Sequence, residues 1–313
     1  MNPAAGDPPA IETSGLTRRF GDFVAVDGID LTIGRGELFS LLGPNGAGKT
    51  TTIKMLCCLL QPTSGTARIM GHDVVEDPLA VKKIIAISPQ ETAIAEHLNA
   101  RENLLLMAGV HGIGKQEATE RSEELLELMA LGGRAKERVK KYSGGMMRRL
   151  SIAMALVSNP DVLFLDEPTI GLDPQSRRGM WDHIAGLKGK TTTVLTTHYL
   201  EEADALADRI AVVDEGKVIA EGTPNELKAD IAGGQAMVVE ATNVSPEAVE
   251  ALRRMYPSVK EIDGGLEIEA EDVDVYELQD VLRPMGVAIQ STYKRQVTLD
   301  DVFLQLTGKQ LRE

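Results

Sequence analysis

Two short runs of this chain carry side chains whose types and spacing could do phosphate chemistry. The first, Gly43-Pro44-Asn45-Gly46-Ala47-Gly48-Lys49-Thr50, fits G-x-x-x-x-G-K-[ST] and lies between an apolar strand pattern and a helical one. Its glycines let the backbone turn sharply enough to aim successive N–H groups at phosphate oxygens, and the following helix N-terminus adds a favourable dipole. Lys49 is placed to reach β/γ-phosphates, Thr50 to ligate Mg²⁺, and Thr51 to make another phosphate contact. The second run, Val162-Leu163-Phe164-Leu165-Asp166-Glu167, is an apolar strand ending in two acids, which delivers carboxylates to the edge where open α/β sheets bind ligands. Asp166 would hold Mg²⁺ through water, and Glu167 would orient or deprotonate the water that attacks a γ-phosphate. Alone, an acid after a strand is more often a helix cap or a solvated turn. A phosphate loop in the same chain reverses that preference.

These runs need a sheet to hold them, and the pattern supplies one. Ile11–Leu16 and Gly28–Ile33 read as short strands, Glu37–Leu42 as a buried strand feeding the first motif, and Thr51–Leu60 as a helix ended by Pro62. Thr66–Met70 and Ile84–Ile87 resume as strands. From about residue 91 to 141, Leu104, Leu105, Val110, Leu125, Leu126, Leu128 and Leu131 recur at helical spacing among charges, which predicts a helical insertion. Strand character returns at Val162–Leu165, Thr191–Thr197, Ile210–Val213 and Val218–Ala220 with amphipathic helices between, the alternation of a parallel, helix-covered sheet.

Composition changes near Asp230–Gly234, where Gly233-Gly234 reads as a linker. Beyond it come strand Ala236–Ala241, helix Pro246–Met255, strands near Val259–Ile262 and Leu266–Glu269, helix Val273–Met285, strand Val287–Thr292 and helix Leu299–Leu306, predicting a small α+β domain, ferredoxin-like in its order. The domains expected are therefore a disordered, Pro/Ala-rich leader over residues 1–10, a first domain over 11–230 and a second over 235–313. A length of 313 residues accommodates two domains. Lys+Arg number 33 against 47 Asp+Glu, a net charge of −14 with no basic stripe, which speaks against nucleic acid as a partner. No apolar run is long enough to cross a bilayer, and the start does not read as a secretory signal. The adjacent Cys57 and Cys58 have neither disulfide nor metal-ligand spacing and read as core residues of a reducing compartment.

Ser143-Gly144-Gly145, shortly before the acidic strand and at the start of an apolar helical run, resembles the signature of the ATP-binding-cassette ATPases. The chain is similar to that family over about residues 11–230, because its elements follow in order: phosphate loop, glutamine loop at Gln90, signature, Asp166-Glu167, aspartate loop at Asp173 and switch histidine at His198. The resemblance implies a P-loop NTPase cassette: a RecA-like parallel sheet core, an antiparallel β subdomain and a helical subdomain insertion, joined here to the small C-terminal α+β domain. It implies ATP and Mg²⁺, with Gln90 sensing Mg²⁺ and the γ-phosphate, His198 touching the γ-phosphate and Asp173 linking two sites across a dimer. It also implies a second nucleotide-binding domain, most simply a second copy, whose signature closes over the first copy's ATP. Ser143 as N-cap with two glycines can present N–H donors to that phosphate. Phe20 stands where the family stacks adenine, although it could equally be a core aromatic.

Two departures from the pattern are Tyr142 and Met146, where the family usually has Leu and Gln, and Ile170-Gly171 in place of the commoner Ser-Ala before Leu172-Asp173. The tail Thr298-Leu299-Asp300-Asp301-Val302-Phe303 resembles the daunorubicin-resistance type, ATP-binding subunits that serve a separate integral-membrane permease, usually as exporters. The resemblance places the chain in the cytoplasm, peripheral on the inner face of the membrane through that permease. A soluble cassette ATPase usually carries a long coiled-coil insertion or tandem cassettes, and a non-hydrolysing nucleotide-binding regulator would lack Glu167 or His198. This chain has one cassette and both residues.

Overall fold

A computed structural model describes residues 8–230, 235–270 and 272–308. The first elements are β1 (Ile11–Phe20), β2 (Phe23–Ile33), β3 (Leu38–Leu42), α1 (Lys49–Leu56), β4 (Ser64–Ile69), β5 (His72–Asp73), α2 (Pro78–Ile84) and β6 (Ile85–Ser88). A helical stretch follows with α3 (Ala100–Val110), α4 (Lys115–Leu128) and α5 (Gly144–Leu156). Then come β7 (Val162–Asp166), α6 (Pro174–Ala185), β8 (Thr192–Thr197), α7 (Leu200–Leu206), β9 (Arg209–Asp214) and β10 (Lys217–Gly222). Packing divides the chain between Glu221 and Gly222.

In the first unit, six strands lie in the order β10-β9-β3-β8-β7-β6, with β3, β6, β7, β8 and β9 mutually parallel where they pair. Strands β3, β7 and β8 are buried at every position, the condition under which a strand loses its polar alternation. The register sets Leu42 opposite Thr197 and Asp166 opposite Thr196. The turns leaving β3, β7 and β8 therefore emerge side by side at one sheet edge, and β6 ends beside them with Ser88 opposite Leu165.

A second, antiparallel sheet has the order β2-β1-β4-β5. Its inner residues Ile11, Leu16, Val26, Ile29 and Ile33 share one core with Ile53, Met55 and Leu56 of α1 and with Phe39 and Phe164 of the parallel sheet. That shared core holds the phosphate loop between two rigid layers. In the helical stretch, α3 starts at a capping box formed by Asn99 and Glu102.

The second unit runs α8 (Pro224–Ala229), β11 (Gln235–Thr242), α9 (Pro246–Arg253), β12 (Ser258–Ile262), β13 (Gly265–Glu269), α10 (Val275–Leu282), β14 (Ala288–Gln296) and α11 (Leu299–Thr307). Its antiparallel strand order, β12-β13-β11-β14, with helices after the first and third strands, is the ferredoxin-like split βαβ arrangement. Val239, Leu252, Leu266, Ile268, Leu278 and Leu282 centre its core. Arg295 donates to Glu267 on β13 and to Asp301 in the first turn of α11, which fastens that helix to the sheet.

Several boundaries differ from the sequence reading. The helix expected to run to Leu60 stops at Leu56: Cys57 caps it, and Cys58 takes a left-handed φ of +54°. Cys57 is nevertheless in the core, where burial pushes its thiol pKa up. Helix α2 was not anticipated, although Asp77 caps it and Pro78 opens it. Strands β1 and β2 are longer than expected and form a hairpin. Of the leader expected over residues 1–10, residues 1–7 lie outside the described residues, while Ala10 departs from that reading: it is buried and paired, its N–H donating to Ile33 and its carbonyl accepting from Met70. The Gly233-Gly234 linker also lies outside the described residues. Among the described residues, no helix is long and apolar enough to cross a membrane.

Candidate functional site

Gly43–Gly48 joins β3 to α1 as a tight loop. A Cβ at Gly43 would run into the carbonyl oxygen of Val213, and one at Gly48, where φ is +102°, into that of Ala25. The packing therefore requires glycine at both ends of the loop. Gly216 closes the loop from behind, donating to Ala47 and accepting from Asp27. Lys49 opens α1 almost wholly buried. Its ammonium donates to the carbonyls of Gly43 (2.6 Å) and Pro44 (3.0 Å) and lies 3.5 Å from Glu167 Oε1. Burial lowers its pKa, opposed by Glu167 and Asp166.

Asp166 ends β7 and Glu167 follows it directly. Asp166 Oδ1 accepts from Thr50 Oγ1 (3.0 Å) and Thr196 Oγ1 (2.6 Å), so the hydroxyl and carboxylate predicted to share a metal ion are already in contact. Glu167 sits at φ +50°, a conformation costing a non-glycine residue about 1–3 kcal/mol. Its backbone is held there: its N–H donates to Thr196, and its carbonyl accepts from Arg148 and from Ile170 N–H. The carboxylate is thereby turned toward Lys49 on one oxygen and toward His198 on the other, with His198 Nδ1 2.8 Å from Oε2. With Glu167 ionised, that Nδ1 carries the hydrogen.

Behind His198 a stack reaches the next element. The His198 ring lies 4.1 Å from that of Tyr199, and the guanidinium of Arg177 on α6 sits 4.0 Å over Tyr199. One helical turn further, buried Glu202 accepts from Thr169 and Trp181.

These groups surround a cavity of about 230 Å³ lined by Phe23, Ala25, Asn45, Gly46, Ala47, Gly48, Lys49, Thr50, Thr51, Gln90 and Glu167. Of the residues singled out from the sequence, the phosphate loop after Pro44, Gln90 and Glu167 lie on its wall, with Asp166 and His198 directly behind. Phe20 is not on the wall. The aromatic there is Phe23, its partner across the Gly21-Asp22 turn, while Arg18 lies 4.5 Å over the Phe20 ring. Phe23 escaped the sequence reading because only the hairpin brings it beside the loop.

Ser143, Gly144, Gly145 and Asp173 are not on this wall either. Ser143 caps α5 by accepting from Met146 N–H, and the two glycines lie against Leu172 and Ser176, next to Asp173. Asp173 in turn caps α6, and its hydrogen bonds from Ser176 hold its carboxyl below the usual range. Signature and aspartate loop thus form a second surface patch of the same chain. The departure at the signature is absorbed locally: Tyr142 donates its hydroxyl to the Arg134 carbonyl, and the sulfur of Met146 accepts from the Arg134 guanidinium.

The donor set fits a magnesium–triphosphate complex. Thr50, Asp166 and Gln90 offer the hard oxygen ligands that Mg²⁺ takes, and Lys49, held only by carbonyls and a carboxylate, has an ammonium that a phosphate can recruit.

A family profile described as ABC transporter matches residues 26–170. The chain is 45% identical over 308 residues to the daunorubicin resistance ATP-binding protein DrrA3 of Streptomyces coeruleorubidus, with 97% of each chain covered. It is 43% identical to the daunorubicin/doxorubicin resistance ATP-binding protein DrrA of Streptomyces peucetius, over 96% of this chain and 92% of that one. It is 37% identical to the Nod factor export ATP-binding protein I of Rhizobium sp. (strain N33), over 97% and 99%. Among solved structures, the ATP binding subunit of an ABC transporter superposes with a TM-score of 0.63 at 28% identity, covering 71% of this chain and 92% of that one. A dimeric post-hydrolysis state of an ATP-binding cassette, bound to ADP and Pi, gives 0.61 at 28% identity, over 68% and 98%.

Proposed function

From the premise that the chain belongs to the ATP-binding-cassette transporter family, as an ATPase of its drug-resistance and export type, we propose that two copies close head to tail around two Mg-ATP molecules and power a separate integral-membrane permease. The observation that carries this reading is the convergence of Lys49, Thr50, Asp166, Glu167 and His198 at one sheet edge, with Lys49, Thr50 and Glu167 on the wall of one cavity and Asp166 and His198 bonded to them from behind.

The phosphate loop binds the triphosphate through its N–H groups, with Lys49 exchanging its carbonyl partners for phosphate oxygens and Thr51 adding a hydroxyl. Thr50, Asp166 and Gln90 would hold Mg²⁺, whose charge would offset that of the phosphates. Release of Lys49 toward phosphate frees Oε1 of Glu167, which then orients and deprotonates the attacking water. His198 holds the other oxygen of Glu167. To donate to the γ-phosphate it must turn away from that acid or gain a second proton, so its position reports the state of the site. Phe23, with Phe20 beside it, offers the base an apolar face.

The patch of Ser143, Gly144, Gly145 and Asp173 then serves the other copy's nucleotide. Exposed apolar side chains of the helical stretch, among them Leu106, Val110 and Leu128, support docking of the permease there. The permease would place this subunit on the cytoplasmic face of the membrane and select a cargo of drugs, lipids or other hydrophobic compounds. The names of the relatives support export.

Glu167→Gln tests the reading. It should keep ATP binding, lower turnover by about a thousandfold or more, and yield a dimer on gel filtration with ATP; Lys49→Ala should lose nucleotide binding instead. Unchanged turnover of Glu167→Gln in an ATPase assay refutes the assignment.

A further inference from the structure

Helix α5 carries two adjacent arginines that reach in different directions. Arg149 donates to the carbonyls of Met129 and Ala130 just past α4, in the helical stretch. Arg148 goes to the catalytic edge. The residue is 5% exposed, and its guanidinium donates five hydrogen bonds, all to backbone carbonyls: Nε to Pro168, one terminal nitrogen to Pro89 and Gln90, the other to Asp166 and Glu167. Among the described residues it has no carboxylate within ion-pair distance.

A buried cation without a carboxylate partner is costly, so its hydrogen bonds must repay that cost. What it holds explains the arrangement. Pro89 and Pro168 flank Gln90 and Glu167 and have no N–H, so neither proline gives a backbone donor to the two loops that carry the metal-sensing amide and the water-activating acid; in the second loop Ile170 N–H also reaches the Glu167 carbonyl. One planar fork supplies five hydrogen bonds. It also fixes the carbonyl of the residue held at positive φ, the one whose side chain must be aimed.

We propose that Arg148 is a positioning residue: it locks the backbone of Gln90, Asp166 and Glu167 to the signature helix, so that movement of α5 governs the aim of Glu167. Helix α5 begins at Ser143, whose patch closes on the other copy's nucleotide, so closure at one site sets the acid at the other. The coupling between sites rests on the head-to-tail reading above; the lock within one chain does not.

Steady-state ATPase kinetics of the full chain test this with Arg148→Lys and Arg148→Met. A lysine keeps the charge but offers one ammonium in place of a rigid five-donor fork. Both variants should lose about tenfold or more in kcat while KM for ATP stays within about twofold. The double variant Glu167→Gln/Arg148→Lys should still bind a fluorescent ATP analogue and dimerise with ATP. Retention of kcat by Arg148→Lys within about twofold overturns the proposal, as does a loss expressed in KM. A loss of analogue binding in the double variant also overturns it, because Arg148 would then support the site's shape at large. Glu167→Gln alone separates the two readings: if that variant fails to bind and dimerise, the proposed function fails whatever Arg148 does.

Discussion

Glu202 shows how much of the site's chemistry rests on single side chains. Thr169 Oγ1 (2.8 Å) and Trp181 Nε1 (3.1 Å) both donate to its Oε1, yet burial outweighs them and raises its pKa above the usual carboxylate value. Glu167 adds to the rise. A raised folded-state pKa means that the native state holds the proton more tightly than the unfolded chain. The resulting stability is complete below the unfolded value of about 4.3 and is lost as pH climbs through the folded one. Glu202→Gln keeps an amide oxygen for Thr169 and Trp181 but cannot ionise. In thermal melts the native protein should therefore lose stability relative to Glu202→Gln as pH rises above the unfolded carboxylate value of about 4.3. Parallel melting curves over that range would show that Glu202 titrates normally. Such a residue is not legible in sequence, because its partners lie 33 and 21 positions away. Lys49, Thr50, Asp166 and Glu167 were legible, since type and local spacing alone give them their work. Gln90, Asp173 and His198 had no such signal and were singled out only through the order of the family's motifs.

At the scale of elements, the β1/β2 hairpin decides which aromatic lines the cavity. Sequence patterning marks strand segments well where they are buried, as in β3 and β7, but the exposed hairpin tip has no hydrophobic period to read. The turn at Gly21-Asp22 pairs Phe20 with Phe23 and leaves both exposed, with only Phe23 on the cavity wall and Arg18 over the Phe20 ring. A base stacked on an aromatic ring gains about 1–3 kcal/mol, so Phe23→Ala should weaken ATP binding by about fivefold or more, measured with a fluorescent ATP analogue. Phe20→Ala should weaken it less, because one face of that ring is occupied. The reverse order would assign the base to Phe20. The premature end of α1 follows the same logic. The apolar pattern continues to Leu60, but Cys58 turns at positive φ, so composition alone overextended the helix.

For the whole molecule, element order was readable in both units, whereas strand order was not, because pairs such as Leu42 opposite Thr197 join residues far apart in the chain. The same separation bears on assembly: the phosphate loop and the signature of one copy occupy different surfaces, so in the proposed head-to-tail arrangement a complete site takes one of each from two copies. This can be tested by mixing defects. Lys49→Ala disables the loop. Gly144→Asp disables the signature with little cost to the fold, since a Cβ there meets only Leu172 at 3.8 Å and φ is not in the left-handed region, while its charge would oppose a phosphate. Each variant alone should be inactive. In an equal mixture half of the dimers are mixed, and each mixed dimer pairs the sound loop of one copy with the sound signature of the other at one of its two sites. ATPase activity should recover to about a quarter of the native rate. If each copy instead formed its sites alone, the mixture would stay as inactive as its parts, and the head-to-tail arrangement would have to be abandoned.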